Sequence, residues 1–496
     1  MKTLIQSLIF FLLLTRICSA QLQSNRSESH PEYTSTNLFN FSADIDSFIT
    51  ATMDTFHIPG LSACIVRGGE IIWKGAYGYA DIDNNRLVTD STLFKLASVS
   101  KPFTGTALMQ LMENGLLDLD EDINHHLPFS VRNPNYPDDP ITFRMLLTHT
   151  SSIVDNGSIL TPLITWGADS PIPLDSFLTN YLVPGGVYFA NENYSSSAPL
   201  TSWHYSNVGA ALIGYLVETI SNMSFEQYCQ DSVFIPLEMD EASWFLSNLD
   251  TTHIALPYYF SEGSYHSYGH YGMVYYPAGQ LRTSAAQTAR LLIAFMKKGQ
   301  IDGIRILDST TVDLMTTVQF PGLYDQYGLF LFVFPDTVPG FGTYTFCGHG
   351  GYSYGVRTRM DYTLDNNIHT GVVVLTNGRS DEGKNIIWEA LYSFSTTIPA
   401  NIAEDLKIPE QYYLSNNYPN PFNPSTKIKY QIPELSYITL KVFDVLGNEI
   451  ATLVDEEKTA GDYEVRFDSK GLSSGVYFYK LTGRNYSETK KMLLLR

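Results

Sequence analysis

Residues 96–115 read LASVSKPFTGTALMQLMENG. Ser98 and Lys101 stand three places apart, close to one helical turn, so a helix would carry both on one face within reach of each other. A hydroxyl is a poor nucleophile until its proton is removed, and a desolvated amine can do that or assist another base. Ala107, Leu108, Leu111 and Met112 follow helical spacing, and Gly115 is a natural stop. Pro102 falls in the first turn, where a missing N–H costs little. Ser98 is thus predicted at a helix N-terminus, where the backbone N–H and the dipole favour negative charge developing nearby. Ser-x-x-Lys is short enough to arise by chance, as a helix start with a serine and a surface lysine. The surrounding chain has to discriminate.

Upstream, IPGLSACIVRGGEIIWKGAYGYAD (58–81) places two apolar runs around Gly68-Gly69, a β-hairpin on a tight turn. Downstream, VGAALIGYLVETI (208–220) and SAAQTARLLIAFMKK (284–298) have helical spacing. Between them PYYFSEGSYHSYGHYGMVYYP (257–277) has no clean period and reads as a long loop near a surface. Strand-like text returns over 352–376. Hairpins, then helices, then strands predict an α+β body with an antiparallel sheet.

The chain has 496 residues, 44% of them hydrophobic and 17% charged, a globular composition for two or three domains. The formal charge of −20 is unevenly placed. Residues 411–496 hold 11 Lys and Arg against 10 Asp and Glu, leaving 20 against 41 in residues 1–410. An acidic body argues against nucleic acid or an anionic membrane as partner, and the shift marks a domain change near 410. MKTLIQSLIFFLLLTRICSAQ (1–21) has a lysine, an apolar run and Ala20, as in a secretory signal peptide cleaved after residue 20. Arg16 interrupts the run, which is too short to span a bilayer, and no later stretch is long enough. The mature chain keeps Cys64, Cys229 and Cys347, an odd number that implies no disulfide framework.

Serine-based acyl transfer needs a nucleophile, a base and an oxyanion hole. Three segments offer candidates: Ser98-x-x-Lys101; Tyr205-Ser206-Asn207 in WHYSNVGAALIG, just before a predicted helix; and His349-Gly350-Gly351 in CGHGGYSYG. Taken singly, Tyr205 is as well read as a packing residue and Asn207 as an N-cap. Gly351-Tyr352-Ser353-Tyr354-Gly355 also matches Gly-x-Ser-x-Gly, the nucleophile elbow, which requires a helix after it. The next residues, VRTRMDYTLDNNIHTGVVVLTNG, read as two strands, so the elbow is rejected. His125-His126 read as a solvated pair, and His266 and His270 give only a weak metal hypothesis.

The three segments, in this order, resemble the penicillin-recognising serine hydrolases: class C β-lactamases, D-Ala-D-Ala carboxypeptidases, D-aminopeptidases and related esterases. The resemblance covers residues 42–395 and includes LLTHTSSI, NMSFEQYCQDSVFIPLEM and PAGQLRTSAAQTARLL. It implies a β-lactamase/transpeptidase-like fold, an antiparallel sheet with helices on both faces plus an all-helical part. It also implies Ser98 as acylated nucleophile, Lys101 as its helper, Tyr205 as base, and Asn207 and Gly351 at the substrate. The oxyanion hole would be the N–H groups of Ser98 and Tyr352; neither metal nor cofactor is called for. His149 in LLTHTSS is read as structural support. His349 stands where many β-lactamases have lysine, which shifts the expectation toward peptidases and esterases. If its protonated form clamps a substrate carboxylate, such substrates gain as pH falls through its pKa. SSSAPLTSWHYSN lacks the Pro-Gly usual before this tyrosine, so an altered loop is expected at the mouth.

TTIPANIAEDLKIPEQ (396–411) reads as a linker, preceded by the body and, before it, a flexible leader over 21–41. Alternating strands then fill 412–496, a small β-sandwich. NNYPNPFNPSTKIKYQIP (416–433) with SGVYFYKLTG and KKMLLLR resembles the C-terminal sorting domain of type IX secretion substrates. That implies handling by the secretion machinery, by way of the periplasm to the cell surface or medium. The expected protein is an exported, monomeric serine hydrolase acting on a D-amino-acid-type peptide amide or a small ester. The alternatives are a class C-like β-lactamase and a non-catalytic surface binder that keeps the fold.

Overall fold

The computed structural model describes residues 45–365, 368–398, 412–417, 419–433, 435–458, 461–484 and 486–495. The signal peptide and leader expected over 1–41, and residues 399–411 of the expected linker, lie outside them.

Strands β1 (Gly60–Arg67) and β2 (Glu70–Asp81) form the expected hairpin. Gly68 and Gly69 turn it with φ of 63° and 82°, both in the left-handed region that glycine enters freely. The short β3 (Arg86–Leu87) follows β2. On the other side of β1 stand β4 (Phe332–Val338), β5 (Gly342–Ser353), β6 (Val356–Thr363) and β7 (Thr370–Thr376). The seven-stranded order is β4-β5-β6-β7-β1-β2-β3, antiparallel at every pair.

The central strands are apolar on both faces because both faces are covered. Leu61, Ala63 and Ile65 of β1 and Val372 and Val374 of β7 pack with α1 (Ile45–Thr55) and with Ile387, Trp388 and Leu391 of α5 (Asp381–Ser395). The alternate residues Cys64, Val66, Val373 and Leu375 join the larger cluster on the other face. That cluster includes α2 (Ser100–Glu113), α3 (Asn207–Ser221) and α4 (Ala285–Met296), and it extends through an all-helical part. The fold is the β-lactamase/transpeptidase-like α+β arrangement.

One expectation is overturned. Residues 257–277 are not an irregular loop: Tyr258–Ser261 and Ser264–Ser267 form a hairpin, and Tyr271–Gly272 pairs with Thr165–Trp166. Aromatics occupy both faces, with Tyr258 and Tyr271 buried to 1% exposure, so no alternation of polar and apolar residues marks the strands.

After the body, Tyr413–Leu414, Ser425–Ile432 and Gly461–Asp468 make a three-stranded sheet. Ser436–Phe443, Glu449–Lys458, Gly475–Gly483 and Tyr486–Leu494 make a four-stranded one. Ile428, Tyr430 and Ile432 face a common core with Ile438, Leu440 and Val442, while Lys427 and Lys429 point out, as in a two-sheet sandwich.

Candidate active site

Ser98 owes its place to a network around the turn before α2. Phe94–Lys95 pairs with Arg282–Thr283, and Leu96 N–H donates to Leu281 O at 2.8 Å. Leu96 O accepts from the Thr358 hydroxyl of β6 at 2.6 Å. Ala97 then takes φ of 48°, left-handed for a residue with a Cβ and held there by these flanking bonds. A 3₁₀ turn, Ala97–Val99, carries Ser98, and α2 begins at Ser100. The expected helix is present, with the serine in the 3₁₀ turn that leads into its α-helical part.

Strand β5 passes close against this turn. A Cβ on Gly351 would lie 2.0 Å from Thr358 Oγ1 and 2.4 Å from Leu96 O, so only glycine lets the strand approach. Gly350 beside it is exposed, with nothing nearer than 3.9 Å to an added Cβ. Tyr352 follows, 44% exposed, with the Arg357 guanidinium 3.3 Å from its ring centroid. β5 ends at Ser353 and strand β6 follows, not a helix, which excludes the nucleophile elbow.

Lys101 is fully buried. Its Nζ donates to Ser98 Oγ at 3.2 Å, Asn207 Oδ1 at 2.7 Å and Ala278 O at 2.9 Å, three acceptors for the three hydrogens of an ammonium. It also stands 4.7 Å from the centroid of the Tyr205 ring. The structure therefore brings together Ser98, Lys101, Tyr205 and Asn207 from two helix starts more than a hundred residues apart.

Asn207 is the first residue of α3, and Ser206 is its N-cap, accepting from Gly209 N at 2.9 Å. The orientation of Asn207 comes from Asp155, which sequence reasoning missed. Asp155 accepts from Ser206 Oγ (3.2 Å), Asn207 N (3.0 Å), Asn207 Nδ2 (2.7 Å) and Val208 N (3.0 Å). A carboxylate at a helix N-terminus satisfies orphan N–H groups and complements the dipole. Here it also turns Asn207 Oδ1 toward Lys101.

His349 lies at the other end of the β5 segment, 3% exposed. Its Nδ1 is 2.6 Å from Gly350 O and its Nε2 is 3.4 Å from the Tyr327 hydroxyl. Burial, then the charge of Lys101, pushes its pKa down to about 3. The sequence leaves room for a protonated clamp here; near neutral pH this buried ring is neutral. Beside Tyr205, Trp203 stacks on Tyr324 with centroids 4.3 Å apart, in the loop where an altered mouth was expected. Cys64, Cys229 and Cys347 are all free and buried. Among the described residues no group of three or more His, Cys, Asp or Glu is placed to hold a metal ion, and no single helix is long and apolar enough to cross a membrane.

Comparison with known proteins agrees with this geometry. A family profile, Beta-lactamase, matches residues 45–392, and another, Secretion system C-terminal sorting domain, matches residues 416–495. Protein flp of Staphylococcus aureus (strain MRSA252) is 30% identical over 214 residues, which are 43% of this chain and 40% of that protein. The chain thus spans less than half the length of this curated relative. Among solved structures, the octameric penicillin-binding protein homologue from Pyrococcus abyssi superimposes with a TM-score of 0.56 at 18% identity, covering 90% of this chain and 99% of that one. A D-amino acid amidase from Ochrobactrum anthropi SV3 gives 0.55 at 21% identity, covering 72% and 100%. The sorting domain marks the chain for export through the type IX system to the cell surface or the medium. The chain belongs to the beta-lactamase family of serine hydrolases and ends in a secretion sorting domain.

Proposed function

We propose that the protein is an exported acyl-transfer hydrolase that works through an acyl-enzyme on Ser98 and cleaves a small D-amino-acid-type amide or ester. The observation that carries this is the position of Lys101 Nζ, buried between Ser98 Oγ and Asn207 Oδ1 and set over the Tyr205 ring. An ammonium that donates to Ser98 Oγ is not itself the base for that oxygen. It leaves the hydroxyl proton to Tyr205, whose phenolate form the adjacent cation favours.

In this reading Ser98 Oγ attacks the carbonyl carbon as its proton passes to Tyr205 Oη. The carbonyl oxygen takes up negative charge facing the N–H groups of Ser98 and Tyr352. Collapse breaks the bond to the leaving nitrogen or oxygen, which receives the proton from Tyr205. Water then attacks the ester, giving its proton to Tyr205, which returns it to Ser98 Oγ. Asn207 Nδ2 is held by Asp155, so Asn207 serves through Lys101 and through its position beside the acyl group. A cleavable signal peptide at residues 1–20, a periplasmic stage and a monomeric state complete the proposal.

The residue at position 349 supports a reading of the substrate class. A buried, neutral imidazole supplies no charge for a carboxylate, and Gly350 supplies no hydroxyl. This supports neutral amides and esters over β-lactams, whose recognition relies on their carboxylate. The D-amino acid amidase shares the fold and, by its name, such a substrate. The test is a kcat/KM series on the full chain with a D-amino acid amide, its L-enantiomer, a small activated ester and a penicillin. The D-amide or the ester is expected to lead by at least about tenfold. A penicillin turned over fastest would overturn the substrate assignment and favour the β-lactamase reading.

A further inference from the structure

His149 is a buried titratable group that this mechanism does not use. It is 1% exposed and takes φ of 61° at the end of the short helix Phe143–Leu147. Its backbone carbonyl accepts from His204 N at 2.8 Å, and its Nδ1 accepts from Ser206 N at 3.2 Å. These two bonds clamp the residues on either side of Tyr205. With Nδ1 accepting, the hydrogen of a neutral ring sits on Nε2. The ring is neutral because burial, then Lys101, then His349, hold its pKa well below the usual histidine value.

Nε2 is buried and has no hydrogen-bond partner among the described residues. Its surroundings are aromatic. The Tyr205 ring is nearest, with centroids 4.3 Å apart and planes tilted by 44°, followed by Tyr327 at 5.2 Å, Phe330 at 5.5 Å and Trp203 at 6.1 Å. A buried N–H without an oxygen acceptor is tolerated where it meets the electron-rich face of a ring. A phenolate ring is richer still, so such a donor gains when Tyr205 gives up its proton.

We propose that His149 is a positioning residue for the reaction: its Nδ1 fixes the backbone that carries Tyr205, and its Nε2–H, buried among aromatic rings of which that of Tyr205 is nearest, stabilises negative charge on it. This rests on the assignment of Tyr205 as the base. His149 neither gains nor loses a proton in the cycle. The other groups facing the pair are Lys101 from α2, His349 from β5, Tyr324 and Tyr327 from the segment before β4, and Asp155 through Ser206 and Asn207. Of these Lys101 is the cation, and it stands over the same ring. On this proposal two donors of different kinds act on one phenol.

The experiment is the pH profile of kcat/KM for a neutral ester, on the full chain and its His149→Phe, His149→Gln and Tyr205→Phe variants. Phenylalanine keeps the ring and removes both nitrogens; glutamine keeps an acceptor and a donor. For His149→Phe the acid limb is expected to move up by about one pH unit, with kcat down roughly tenfold and KM within about twofold. His149→Gln is expected to recover most of both. An acid limb unmoved in folded His149→Phe, with Tyr205→Phe down at least about a thousandfold, overturns the role of His149 and leaves Tyr205 in place. Near-normal activity of Tyr205→Phe overturns the base assignment and this inference together. Should His149→Phe fail to fold, long-range ¹H–¹⁵N spectra of the wild-type imidazoles decide, with the His149 signal assigned by its loss in His149→Gln. A ring that stays neutral with its hydrogen on Nε2 from about pH 5 to about pH 8 is expected. An Nδ1–H tautomer or an imidazolium overturns the inference.

Discussion

Asp155 Oδ2 accepts from both the backbone N–H of Asn207, at 3.0 Å, and its side-chain Nδ2, at 2.7 Å. The amide of Asn207 is thereby left one orientation, with Oδ1 2.7 Å from Lys101 Nζ. A chain of contacts runs from the loop after His149, through the cap of α3, to the amine beside Ser98. Asp155→Asn keeps the volume and loses the charge, and its own amide can turn either way. We expect it to lower kcat by roughly tenfold to a hundredfold, and Asp155→Ala to cost a further ~1–2 kcal/mol of stability through the lost cap. Steady-state kinetics with thermal melts check both; wild-type kcat in folded Asp155→Ala would remove the residue from the site.

Gly350 and Gly351 are neighbours with opposite tolerances. An added methyl on Gly351 meets Thr358 Oγ1 at 2.0 Å and the Leu96 carbonyl at 2.4 Å, the two atoms that hold the Ser98 turn. Gly351→Ala is expected to destabilise by ~1–3 kcal/mol and to disturb acylation, because either the strand or the turn must shift. Gly350→Ala meets only the Thr358 carbonyl, at 3.9 Å, and is expected to stay within ~0.5 kcal/mol of wild type. Melting temperatures of the two variants give the comparison directly.

The buried histidines fix a pH dependence. His349 titrates near pH 3 when folded and near 6.5 when unfolded, so between those values the unfolded chain binds the extra proton. Stability therefore rises with pH across that window, is fully present above about pH 6.5, and is lost on acidification at up to ~1.4 kcal/mol per pH unit for this group. His149 acts in the same direction. Denaturant midpoints between pH 4 and pH 7 should fall less steeply in His349→Gln than in wild type. The same neutrality predicts that the ratio of kcat/KM for a carboxylate-bearing and a neutral ester stays flat from pH 5 to pH 8. A rise of that ratio on acidification would restore a charged clamp.

The candidate site was legible in the chain because its residues fall in short segments with local signatures. Ser98 and Lys101 share a turn, Tyr205 and Asn207 bracket an N-cap, and His349 opens a glycine pair. Gly351 is required by a close approach, and that requirement leaves a glycine in the text. Asp155 left no such mark. It sits in a polar stretch, SSIVDNGS, with no period, and its role exists only once the chain brings it to the start of α3, 52 residues on. The hairpin at 258–267 was hidden for another reason. Its turn, Glu262-Gly263, has φ of 53° and 78°; glycine suits the second but glutamate does not announce the first, and tyrosines on both faces erase the alternation that would mark strands. The charge state of His349 was not legible, because burial is a property of the packed sheet, not of the residue.

The proposed mechanism turns on a covalent intermediate on Ser98. The most direct measurement is the intact mass of the full chain, quenched in acid within milliseconds to seconds of mixing with an activated ester, followed by peptide mapping. A mass increase equal to the acyl group is expected, located on Ser98, absent from Ser98→Ala and slow to form in Tyr205→Phe. Acyl transfer that persists in Ser98→Ala, or an adduct mapped to Ser353 or Lys101, would contradict it.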